Sequence, residues 1–104
     1  MDKIAALGEI LQIDPANAFA RYGLAMEHLA QGNPEAALAA FSTCIAHNPD
    51  YVPAYQISAQ ALAQLGRVDE AVARLDEGIA AAQRTGNRHA LAEMSATRGE
   101  LASR

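Results

Sequence analysis

The side chains in this sequence best suited to chemistry are one cysteine, Cys44, the histidines His28, His47 and His89, and a scatter of carboxylates. A thiol becomes a nucleophile or redox group where its thiolate is stabilised at an accessible, electropositive place. Cys44 instead keeps step with Ala37, Phe41 and Ile45 on one apolar helix face, so it reads as a buried, inert thiol. Imidazoles hold zinc when two of them share a helix face at a spacing such as i, i+4. The three histidines fall on three different helices, which speaks against a metal site. Glu9, Glu27, Glu35, Asp69, Glu93 and Glu100 are spread over solvent-facing positions, and the glycines never take the spacing of a phosphate-cradling loop. The residues argue against an enzyme and call for no cofactor.

The elements that carry these side chains fit one small domain, for which 104 residues suffice. About a quarter of them are alanine, and the strand formers are few and never alternate, which predicts an all-helical class. A formal charge of -4 without any basic stripe argues against nucleic acid. The uncharged runs hold Gln, Asn, Ser and His and are broken by proline, so none is expected to span a membrane. The first residues carry charges within their apolar stretch and lack a small-residue cleavage pattern, so they do not read as a secretion signal. A single cysteine fits a reducing compartment, and the cytoplasm is the expected location.

The clearest element runs from Gly32 to Tyr51. Gly32 suits a left-handed end to a preceding helix, Asn33 a cap and Pro34 a first turn, while Ala37, Leu38, Phe41, Cys44 and Ile45 recur at steps of three and four. Pro49 ends that helix. Similar punctuation predicts five more. The first, over residues 2–13, has an apolar face of Ile4, Leu7, Ile10, Leu11 and Ile13. The others run from an Asn17 cap to about Gln31, from about Pro53 to Leu65, from near Val68 to as far as Arg84, and, after Gly86-Asn87, over roughly His89 to Ala102.

The spacing of these markers is regular. Pro15 and Pro49 are 34 residues apart, as are Gly32 and Gly66. The same shift carries Ala25 to Ala59, Ala37 to Ala71, Phe41 to Leu75 and Ile45 to Ile79. It also carries Leu7 to Phe41 and Leu11 to Ile45, so the first helix matches the second helix of a unit. A two-helix repeat of this length is the mark of a helical solenoid.

With Ala25, Gly32, Ala37, Phe41, Cys44 and Pro49 in one copy, and Ala59, Gly66, Ala71, Leu75 and Gly78 in the next, the chain resembles the tetratricopeptide repeat family. The chain departs from the pattern at Arg21 and His28, where large apolar residues are expected, and at Gln83, where proline would fall. The resemblance implies a right-handed α-solenoid of antiparallel helix pairs in a single domain. Residues 1–15 form a half repeat, 18–51 and 52–85 two repeats, and 86–104 a C-terminal capping helix.

In this family the first helix of each repeat lines a concave groove. By that resemblance Phe19, Tyr22 and Met26 face it, and the shift by 34 adds Gln56, Gln60 and Gln64, then Met94 and Arg98. The functional reading is a non-catalytic adaptor whose groove takes a peptide or helix of a partner protein. Two alternatives stand beside it: the short N-terminal helix or the curvature of a small array covers these side chains, or the stripe and the unpartnered first helix make a homodimer. The Lys and Asn pair with which some members grip an acidic C-terminus is absent, since Tyr22, Gly23, Met26, Gln56, Ile57 and Gln60 occupy those places.

Overall fold

A computed structural model describes residues 2–104. It holds six helices: α1 (Lys3–Ile13), α2 (Ala18–Ala30), α3 (Pro34–His47), α4 (Val52–Gln64), α5 (Val68–Thr85) and α6 (Arg88–Ala102). No strand occurs among the described residues, and every predicted helix is present within two residues of its expected ends. The chain divides into two compact units, Met1–Pro49 and Asp50–Arg104.

The helix ends follow from local chemistry. Gly32, Gly66 and Gly86 all take φ between 71° and 77°, a left-handed backbone that a side chain would strain. At each of them the next residue's amide reaches back over the turn: Asn33 N–H to His28 O at 2.8 Å, Arg67 to Leu62 at 2.9 Å and Asn87 to Ala82 at 2.9 Å. These bonds occupy carbonyls that the helix itself leaves unpaired. Asn17 accepts from the Ala20 amide at 2.9 Å and Asn87 from the Ala90 amide at 3.0 Å, so both cap as expected. Asn33 does not. Its side chain makes no capping bond, and Pro34 starts α3 by having no amide hydrogen to satisfy.

In the first unit α2 packs against both α1 and α3. Ala20, Ala25, Ala37 and Ala40 let the helix backbones approach, and Phe41 and Cys44 fill the space between them. The Tyr22 ring meets Phe41 edge to face, with centroids 5.9 Å apart. The apolar face expected on α1 is only partly used: Leu11 is buried, Ile4 and Leu7 are half-buried, and Ile10 and Ile13 face solvent. A helix face is buried only where another element covers it, and α1 packs chiefly on α2.

In the second unit α5 lies between α4 and α6 and packs on both. Its core is built on Tyr55, Leu62, Leu75, Met94 and Leu101, all at most 5% exposed. Gly78 is the closest point. A Cβ there would sit 2.7 Å from both Tyr55 Cβ and Met94 Sδ, so the missing side chain is what lets these two residues meet across α5.

Candidate functional site

The groups suited to chemistry are placed first. Cys44 is fully buried and its Sγ donates to Ala18 O at 3.4 Å. Burial pushes its thiol pKa up, against a smaller opposing pull from the Arg21 charge, so the thiolate is disfavoured. His89 Nε2 lies 3.0 Å from Glu93 Oε1 one turn along α6. His47 is exposed at the end of α3, and His28 is half-buried on α2 with a buried Nδ1 that has no partner among the described residues. No group of three His, Cys, Asp or Glu able to hold a metal ion occurs among the described residues. Among the described residues no helix is long and apolar enough to cross a membrane.

The expected binding residues divide by unit. On α2, Phe19 is 74% exposed and Met26 37%. Seven residues apart, they share one stripe of the helix. Tyr22 lies between them, half-buried, with its ring on Phe41 and its hydroxyl pKa raised by burial, so it belongs as much to the core as to the surface. On α4, Gln60 and Gln64 are exposed, while Gln56 is half-buried and donates to Glu93 Oε1 at 3.3 Å.

The last two expected residues have partners within the unit. Met94 is fully buried against the gap at Gly78, a core side chain that offers no surface to a partner. Arg98 turns toward α5, where its Nε lies 2.6 Å from Asp76 Oδ1; that bond raises the guanidinium pKa further. Sequence reasoning also missed the cluster of Gln56, Glu93 and His89, although the four-residue step from His89 to Glu93 was visible. It expected an unpartnered first helix without saying which residues stand on the free side; these are Ile13, 88% exposed, and Ile10, 45%. The described residues enclose no pocket, so what the chain offers is open helix faces.

Six helices linked by short turns, with a 34-residue shift between matching glycines of left-handed backbone, define an all-α helical-repeat protein. A family model for the tetratricopeptide repeat matches residues 28–94, and the chain belongs to that family. It is similar to a tetratricopeptide repeat domain protein from Salinibacter ruber, at 34% identity over 85% of this chain and 89% of that one, with a TM-score of 0.79. The fold is also that of the TPR2B domain of yeast Sti1 in a complex with pHsp70 (19% identity, 96% of this chain, 80% of that one, TM-score 0.86). It is shared by PcrH in complex with the chaperone binding region of PopD (19%, 96% and 76%, TM-score 0.88). At such identities these last two show the fold alone. No curated protein matches the chain.

Proposed function

We propose that the chain is a non-catalytic adaptor that binds a peptide or helix of a partner protein on its first-type helices. The observation that carries this reading is Phe19, a large aromatic three-quarters exposed on α2, with Met26 two turns further along the same stripe. A contiguous exposed apolar stripe is more than α2 needs for packing on α1 and α3, and such stripes mark interaction sites. Tyr22 lends its outer edge, and Met26 supplies a flexible, polarizable contact. In the second unit Gln56, Gln60 and Gln64 form an amide ladder at steps of four on α4, suited to peptide groups of an extended segment. The buried Cys44 thiol fits a cytoplasmic place for the protein. The named relatives in complexes with protein segments are in keeping with this reading.

The test is affinity capture from the source cell, with intact protein beside a Phe19→Ser/Met26→Ser variant and a Gln60→Ala/Gln64→Ala variant. The reading expects a partner that the first variant loses and the second retains weakly, with helical circular dichroism unchanged in both. Equal capture by all three proteins would remove the helix faces from consideration.

A further inference from the structure

Four of the five large apolar residues exposed among the described residues lie in the first unit: Ile10, Ile13, Phe19 and Met26. Three of them gather at one end of the α1–α2 pair. Ile13 is the last residue of α1, Ile10 is one turn before it, and Phe19 is the second residue of α2, across the short connection of residues 14–17. The surroundings are acidic. Residues 1–49 carry five acids (Asp2, Glu9, Asp14, Glu27, Glu35) and two bases (Lys3, Arg21), a balance of 2 minus 5, or -3. Both bases are engaged within the unit, Lys3 with Glu27 at 3.6 Å and Arg21 with Pro15 O at 3.2 Å. Among the described residues no cation meets Glu9 or Asp14. Helical geometry sets Glu9 about 40° from Ile13 around α1, with Ile10 about 60° beyond on the other side. Asp14 follows Ile13 directly.

We infer that this end of the α1–α2 pair takes a cationic amphipathic helix, with its apolar face on Ile10, Ile13 and Phe19 and its Lys or Arg side chains over Glu9 and Asp14. The inference rests on the adaptor reading and gives the partner of the first unit its chemistry. Charge complementarity selects this occupant. A second copy of the chain would bring the same acids against one another, and an anionic membrane or nucleic acid would meet the same repulsion. The apolar residues supply burial, and the unpaired acids favour a basic rim and a faster encounter. The second unit offers no match: only Leu65 is exposed among its large apolar residues, and Asp50, Glu70, Asp76 and Glu77 each meet an arginine of the same unit.

The test titrates the intact, isotope-labelled chain with two synthetic helices of about 18 residues, long enough for five turns. They share a leucine face and carry lysine or glutamate on the other. The Leu/Lys helix should bind about tenfold more tightly at low salt, since a few exposed charge pairs sum to that ratio. Its advantage should shrink at about 0.5 M salt, and the amide signals that shift should lie between Glu9 and Phe19. Ile13→Ser/Phe19→Ser, with circular dichroism unchanged, should weaken it about tenfold, and Glu9→Gln/Asp14→Asn should abolish the preference for lysine. Equal binding of the two helices, shifts confined to other residues, or no binding of either would overturn the inference. So would a concentration-dependent dimer in light scattering that Ile13→Ser/Phe19→Ser makes monomeric, since the face would then belong to a second copy. If neither helix binds yet capture of a cellular partner still depends on Met26 or Gln60, the adaptor reading survives and this inference alone falls.

Discussion

Each unit carries one copy of the repeat pattern, and the two copies are built to different finish. The 34-residue shift sets Arg21 against Tyr55 and His28 against Leu62. In the second unit both sites are apolar core, with Tyr55 3% and Leu62 5% exposed. In the first unit the same sites hold polar side chains whose Arg21 Nε and His28 Nδ1 are buried with no partner among the described residues. A buried polar group left unpaired costs about 1–3 kcal/mol. The first unit therefore carries unpaired polar atoms in its packing together with apolar surface outside it, while the second spends its large residues on a core and pairs four of its seven acids, Asp50, Glu70, Asp76 and Glu77, with arginines. The lesson is that a repeat can keep its shape at the shared small and aromatic sites and vary stability and surface at the others.

The largest effects should fall where the units agree. Phe41 and Leu75 are corresponding sites, at most 1% exposed, and truncation to alanine should cost about 3–5 kcal/mol for Phe41 and about 2–5 for Leu75, read by urea denaturation. A tolerated substitution at either would mean that the shared core is not where the repeat is held. Glycine substitutions should then separate the units. Gly78→Ala drives a Cβ to 2.7 Å from Tyr55 Cβ and Met94 Sδ, and overpacking there should cost about 1–3 kcal/mol. Gly23→Ala meets Leu7 methyls at an ordinary 3.5 Å and should stabilise by about 0.5–1 kcal/mol, the alanine advantage inside a helix. The same sign for both would break the comparison.

His28→Leu brings the second unit's residue to the first and removes an unpaired nitrogen. It should gain about 1–2 kcal/mol, measured as a higher melting temperature, and should slow hydrogen exchange of α2 amides toward that of α4. A loss of stability would show that the imidazole is satisfied in solution. The smallest effect lies at the surface pair of Arg67 and Glu70, whose Nε and Oε2 are 2.6 Å apart. The hydrogen bond from Arg67 holds the Glu70 carboxyl below the usual glutamate range. A lowered pKa in the folded state means the contribution is present above the ordinary glutamate pKa and fades as pH falls through the lowered one. Carboxyl chemical shifts should follow that titration, and Arg67→Ala should return it to the ordinary range.

What was legible in the sequence follows the range of the interactions involved. Gly32 and Gly66 could be read because a left-handed helix end is decided by one residue and its immediate neighbours. Phe19 and Met26 could be read as one stripe because a step of seven returns to the same side of a helix, while Ala25 holds the repeat's small site on another side. Met94 could not, since the hole it fills is made by the absence of a side chain at Gly78, sixteen positions earlier on another helix. The pairing of Arg98 could not be read for the same reason, its partner Asp76 lying 22 residues away.

The sequence by itself determined the six helices, their ends and the period that makes them copies, because caps, prolines, glycines and the three-to-four spacing of apolar residues act within a turn or two. Only the tertiary structure decided which apolar residues are core and which are surface. Ile10 and Ile13 satisfy the same helical periodicity as Leu11, and the difference between them is whether a neighbouring helix happens to cover the face they stand on.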